Sequence, residues 1–308
     1  MKVLVLGGNG FVGKHVVELL KSKKYEAVPL SRRNGLDLTS FDSVEENFSR
    51  VKPDAIINCA AHVGSLHYVT AQAADVVRDN LQMSLNIYKG VAAFCPNAKI
   101  VNPISNCSYP GDADIQVESE WWNGPVHKSV WSYGNAKRML AVISECYAIQ
   151  HKIKSINLMF PNAYGPGDYT DPNKTHALNG MIIRMMDAKK NKTPSFEIWG
   201  TGKPQREWLY VKDLAKMLVM GLDFQEAQIV PLNIAQNKAY AIRETAEMIK
   251  KELGYSGELV FNTKYQDGAL IKKMDDKLFR SKFPSFEFTP INKGIKETIA
   301  YYEKALGG

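Results

Sequence analysis

Tyr133 and Lys137 stand four positions apart in "SYGNAK". On a helix that spacing puts a phenol and an ammonium on one face. A phenol has a reference pKa of about 10, and a neighbouring ammonium favours its ionised form. Such a pair can exchange a proton with a substrate oxygen near neutral pH, although the same spacing also occurs in plain helix-surface pairs. Ser105 lies upstream at the end of the apolar run "KIVNPIS", where its hydroxyl can hold the same oxygen. Two positions later comes Cys107, in "SNCSYP". A free cysteine is most often a small buried filler, so its type alone leaves two uses open: packing, or carrying protons.

These groups need elements to position them. "KVLVL" at 2–6 reads as a strand, and Gly7, Gly10 and Gly13 follow it directly. "KHVVELLKSK" then has helical periodicity. In that strand–loop–helix setting, glycines let a pyrophosphate approach the amides at a helix N-terminus. The second strand, "YEAVPLSR", ends at Ser31, Arg32 and Arg33. A site for NAD usually carries Asp or Glu there, whereas arginines suit a 2′-phosphate. NADP(H) is therefore the expected cofactor, with NAD the alternative. Asp37 and Leu38 are expected beside the adenine.

Further strands, "DAIINCAA", "KIVNPIS" and "KSINLMFP", alternate with long helical stretches. This alternation predicts an α/β fold, a doubly wound parallel sheet of Rossmann type covered by helices on both faces. Beyond about residue 165 the chain turns polar and rich in Gly, Pro and Asp, as in "YGPGDYTDPNKTHAL", before two amphipathic helices. A smaller, interleaved C-terminal substrate lobe is expected. Residues 1–165 form the cofactor domain, part of 207–236 returns to it, and 166–206 with 237–308 form the second lobe.

The composition excludes several classes of function. The chain has 308 residues, 45% of them hydrophobic and 23% charged, which suits a soluble globular protein. No stretch reaches membrane-spanning length, so a cytoplasmic chain without a membrane partner is expected. The four cysteines form no CxxC pair, and no Cys/His spacing resembles a zinc site, so no metal is expected. A net charge of +7 favours anionic partners, but the basic residues do not cluster with aromatics. An anionic small molecule fits better than nucleic acid.

The order of glycine loop, Ser105, Tyr133 and Lys137, with "FPNAYGP" and "REWLYVKDLA" further on, resembles the extended short-chain dehydrogenase/reductase family, in its nucleotide-sugar branch. Within that branch the chain is similar to the GDP-L-fucose synthase family, which epimerises and then reduces a GDP-linked 4-keto-6-deoxymannose. The likeness rests on "SNCSYP", on "YGPGDYTDPNKTHAL" ending near His176, on Arg184, on "WGTGKPQREWLYVKD" and on "DGALIKKMDD". It implies that Ser105, Tyr133 and Lys137 are the reductase set, and that Cys107 and His176 are the epimerase acid/base pair. It also implies that Arg184, Trp199, Arg206 and Lys272 face the nucleotide diphosphate, with Asn162 near the sugar. The substrate would be a nucleotide-diphosphate sugar, GDP-linked, and the assembly a homodimer through the two long helices. The chain departs from that family at "GGNGFVG", after "AAHVG", in the loop before His176, and at Leu270 and Ile271, where the family has Pro and Arg. A related deoxy- or heptose sugar is consistent with these departures.

The implied chemistry needs two groups on opposite faces of a sugar ring. A 4-keto group acidifies the protons on carbons 3 and 5; a base removes one and an acid returns one from the other side. A thiol and an imidazole both titrate close enough to neutrality for this work. Cys59 and Cys146 read as core, and His62 and His67 as neighbours of the substrate. Trp121 and Trp122 either cover the site or pack. Three alternatives stay open: a GDP-mannose 3,5-epimerase type, a simple 4-reductase or 4-epimerase, and a non-catalytic NADP-binding sensor.

Overall fold

The structure is a computed structural model that describes residues 1–265 and 267–307. The chain begins with β1 (Lys2–Leu6), α1 (Phe11–Ser22), β2 (Glu26–Leu30), α2 (Phe41–Val51) and β3 (Ala55–Asn58). It continues with α3 (Leu66–Ala71), α4 (Ala73–Phe94), β4 (Lys99–Ser105), α5 (Trp131–His151) and β5 (Ser155–Phe160). Then come β6 (Asn162–Tyr164), α6 (Ala177–Lys190), β7 (Ser195–Trp199), β8 (Gln205–Tyr210), α7 (Val211–Met220) and β9 (Gln228–Asn233). The last part holds β10 (Ala239–Ala241), α8 (Ile242–Leu253), β11 (Glu258–Asn262), β12 (Ile271–Lys272), α9 (Lys277–Lys282) and α10 (Ile291–Ala305).

Six strands form one parallel sheet in the order β2-β1-β3-β4-β5-β9. Side chains alternate across a strand, so β1 feeds two cores: Leu4 and Leu6 on one face, Val3 and Val5 on the other. Helices α1 and α7 cover one face, and α4 and α5 pack together on the other. A strand covered on both faces must be apolar throughout, which is why "VLVL" and "AII" are fully buried. The strand order reverses direction between β1 and β3. In open α/β sheets the crevice beyond the strand ends at such a switch point takes the ligand.

Most of the later chain packs around a third core made by α6, α8, α10 and β8, while Met274, and Phe279 of α9, return to the cores of the large sheet, so 237–308 does not all belong to the second lobe. Strand β8 joins β10 and β12 in a small sheet and also pairs with β6. Strands β7 and β11 form a separate parallel pair. The buried Glu207 of β8 ties these parts together, accepting from the backbone N–H of Gln236 at 2.6 Å and of Met274 at 2.9 Å. Burial pushes that carboxyl up to about 7, against the pull of its backbone donors. Among the described residues, no helix is long and apolar enough to cross a membrane.

Candidate active site

The glycine loop runs from the end of β1 into α1 at the switch point. Gly7 has φ +70, and a Cβ there would sit 2.9 Å from Ala60 Cα, two residues past β3. A Cβ on Gly13 would run into the Gly7 carbonyl oxygen. The loop is a cradle that side chains would fill, which suits a dinucleotide pyrophosphate at the N-terminus of α1. Asn9 donates to Ser31 Oγ at 2.9 Å and joins the cradle to the end of β2. Arg32 and Arg33 are exposed in the turn that follows, where they can meet a phosphate. Asp37 accepts from the backbone N–H and the hydroxyl of Thr39, so its carboxylate is engaged within its own loop. Leu38 is a core residue, 5% exposed, and its carbonyl accepts from Asn86.

Strand β4 ends at Ser105, and α5 carries Tyr133 and Lys137 beside it. All three side chains are buried. Lys137 donates to the Pro103 carbonyl at 3.4 Å, and its ammonium lies 5.7 Å from the centre of the Tyr133 ring. Burial pushes the Lys137 ammonium down to about 8, with Cys59 pulling the other way. Burial also raises the Tyr133 phenol, and the Cys107 charge adds to that rise. This reverses the expected lowering of the phenol, because desolvation outweighs the nearby ammonium.

Cys107 lies in a single 3-10 turn, Asn106–Ser108, directly after Ser105. Its backbone N–H donates to Ser105 Oγ at 3.3 Å. Gly134 makes the close approach of α5 possible, since a Cβ there would run into the Cys107 carbonyl oxygen. The thiol is half-buried, and Lys272 Nζ lies 3.8 Å from its sulphur. A small cleft beside it is lined by Asn106, Cys107, His127 and Lys272 among others. Burial lowers the His127 imidazole, and the Lys272 and Arg206 charges lower it further. Arg206 is tied by its guanidinium to the Ala269 carbonyl at 2.7 Å.

His176 is anchored separately, at the N-terminus of α6. Its Nδ1 lies 3.0 Å from Asp168 Oδ2, and its ring stands against Phe11 of the cofactor helix with centroids 5.3 Å apart. Two further contacts clamp this loop to α1: Lys14 donates to the Gly167 carbonyl, and His15 Nε2 donates to the Pro166 carbonyl at 2.8 Å. Farther out, the Arg184 guanidinium lies over the Trp199 ring at 5.4 Å, and Trp199 stacks on Tyr265 at 4.9 Å. Trp199 is 57% exposed, an open aromatic platform with a cation beside it. Asn162 donates to the Glu207 carbonyl at 3.1 Å and serves the β6–β8 junction.

Other expectations divide. Cys59 stands one residue past β3, and burial pushes its thiol up to about 12, against the Lys137 charge. Cys146 is exposed, not core: it falls on the outward face of α5 with Glu145 and Ile149. Trp121 packs into the core, while Trp122 is exposed beside Arg138. His67 is exposed. His62 is held between Asp79 and the Tyr68 hydroxyl, each at 2.8 Å. Asp168 and Asp79 escaped the sequence reading, because a lone Asp carries no local signal for a histidine partner 8 or 17 positions away.

Residues 3–235 match the NAD dependent epimerase/dehydratase family. A GDP-L-fucose synthase of Dictyostelium discoideum is 31% identical over 304 residues, covering 97% of this chain and 94% of the relative. Among solved structures, a GDP-6-OMe-4-keto-L-xylo-heptose reductase from C. jejuni superposes with a TM-score of 0.90 at 26% identity, over 99% of this chain and 98% of that one. A GDP-L-fucose synthetase from Naegleria fowleri bound to NADP superposes with a TM-score of 0.86 at 27% identity, over 99% and 94%.

Proposed function

The chain belongs to the NAD dependent epimerase/dehydratase family, and from that premise we propose that it epimerises and then reduces a GDP-linked 4-keto-deoxy sugar. It is an NADP-dependent enzyme of the GDP-sugar epimerase/reductase kind. The glycine cradle and Arg32 and Arg33 would hold NADP(H), which when bound supplies the hydride for carbon 4 of the sugar.

In this reading Cys107 removes a proton from a carbon next to the 4-keto group. His176, on a separate segment, returns one from the opposite face, which inverts the centre. For reduction, Tyr133 gives its proton to the carbonyl oxygen, and the Ser105 hydroxyl donates a hydrogen bond to that oxygen. Lys137 lies beside Tyr133, where its charge offsets the phenolate that remains. Arg184 and Trp199 would meet the nucleotide end, whereas Lys272, at the Cys107 sulphur, and its strand neighbour Arg206 lie nearer the reacting carbons than the sequence reading had them. Residues 1–165, with the return of β9, are read as the cofactor lobe. A second copy would dock on α4 and α5, where Leu85, Met139 and Ile149 are exposed.

The observation that carries this reading is the turn that puts Cys107 against Ser105 Oγ, with Lys272 at its sulphur. A reductase alone needs Ser105 but no thiol there. The likeness to a heptose reductase favours a second reading, reduction without epimerisation. The two are separated by following NADPH oxidation and sugar configuration together on a panel of GDP- and UDP-linked 4-keto sugars. Inverted product with stoichiometric NADPH oxidation supports the first. Reduced product with unchanged neighbouring centres supports the second.

A further inference from the structure

The loop before α6 is organised around one buried carboxylate. Asp168 is 6% exposed and receives four polar contacts. The His176 backbone N–H donates to Oδ2 at 2.8 Å, and the Asn179 amide donates to Oδ2 at 2.9 Å. His176 Nδ1 approaches both carboxylate oxygens, at 3.1 Å and 3.0 Å. The Asp168 backbone is fixed as well, since the Tyr302 hydroxyl donates to its carbonyl at 3.2 Å. Burial raises this carboxyl, but the bonds and charge of His176 and the Asn179 amide overcome that and leave it below the ordinary carboxylate value.

An ionised carboxylate only accepts. Nδ1 must therefore carry the proton, and the lone pair of neutral His176 lies on Nε2. Among the described residues, the hydrogen bonds of this imidazole all run from Nδ1. Its ring rests on Phe11, which limits rotation. The side chain is 31% exposed, so one edge is gripped while the ring stays accessible.

We propose that Asp168 is a positioning residue for His176, holding the imidazole as the Nδ1–H tautomer so that Nε2 exchanges the proton with the sugar. The inference rests on the role given to His176 above. Protonated at both nitrogens, His176 gives its Nε2 proton to the sugar carbon and is left as the neutral Nδ1–H form, which takes a proton back at Nε2 from solvent; the Nδ1 proton never leaves.

Asp168→Asn keeps the shape but can donate to Nδ1, which reverses the tautomer. The first readout needs no substrate: nitrogen NMR of the full chain labelled at histidine, with His176 assigned by its absence in His176→Gln. In the neutral form, wild type should show a protonated Nδ1 and a bare Nε2, and Asp168→Asn the opposite. The second readout is turnover. Epimerisation should fall on the order of 10²- to 10⁴-fold in Asp168→Asn, as expected when a proton-transferring imidazole is held in the wrong tautomer. Reduction of an already epimerised sugar should fall far less, and Asp168→Asn in a His176→Gln background should add little. Asn179→Ala loosens the same carboxylate without supplying a donor, so it should keep the wild-type tautomer. An unchanged tautomer in Asp168→Asn, or equal loss of both half-reactions with Asn179→Ala as damaging, would reduce Asp168 to a loop anchor. A wild type with the expected tautomer that epimerises no 4-keto sugar would instead overturn the reading of His176 itself.

Discussion

The proposed reductase set and the proposed epimerase pair are built in different ways. Ser105, Tyr133 and Lys137 ride on the end of β4 and the first turns of α5, with all three side chains buried. Their mutual placement follows from strand length and helical pitch. Cys107 and His176 sit on a 3-10 turn and at a helix entrance, and both remain partly open to solvent. They are held by side chains remote in sequence: Lys272 for Cys107, and Asp168 and Phe11 for His176. Regular elements fix the chemistry common to a whole fold, while tertiary contacts fix the chemistry that varies within it.

The widest separation should come from Tyr133→Phe. Removing the proposed proton donor should lower the NADPH oxidation rate by roughly 10²- to 10⁴-fold, while epimerisation stays near wild type. Stopped-flow absorbance of NADPH beside NMR of the sugar tests this; equal loss of both activities would merge the two regions into one.

Lys137→Met should separate function from stability. The buried ammonium is held near 8 against 10.5 for a free lysine, so folding around the charge costs on the order of 3 kcal/mol. The sign follows: a depressed lysine destabilises the fold most below about 8, and the penalty fades as pH rises to 10.5. The methionine variant should lose reduction yet resist urea better than wild type at pH 7. Its advantage should shrink between those values.

Gly134→Ala tests a place where the regions touch. The added methyl meets the Cys107 carbonyl, so α5 or the turn must shift. About 1–3 kcal/mol of stability should be lost, and both activities should fall together. A smaller effect is expected at the cofactor end. Arg32→Ala with Arg33→Ala should weaken NADPH binding about tenfold or more and leave NADH binding nearly unchanged, by fluorescence titration.

Much of the fold was legible because its signals are local. An apolar run ending in spaced glycines, followed by a 3.6-residue period, defines β1 and α1, and the same grammar repeats through β5. The placement of Ser105 at a strand end and of Tyr133 and Lys137 on one helix was legible for the same reason. Cys107 and His176 gained meaning only from resemblance to a family, since nothing local distinguishes them from a packed thiol and a solvated imidazole. Asp168 was invisible because its partner is chosen by the fold. Cys146 misled because α5 is nearly uniform in polarity around its axis, so its outward face resembled its inward one. The Tyr133 phenol misled because spacing predicts a neighbour but not the desolvation that overrides it.

The most direct test is solvent deuterium at carbons 3 and 5 of a GDP-linked 4-keto sugar, followed by NMR in heavy water without NADPH, for wild type and Cys107→Ser. The predicted result is exchange in wild type that collapses in the variant, while NADPH-dependent reduction of an already epimerised sugar persists. Exchange that survives in Cys107→Ser, or no exchange in wild type beside brisk NADPH oxidation, would contradict the account and leave a simple reductase with a packing cysteine.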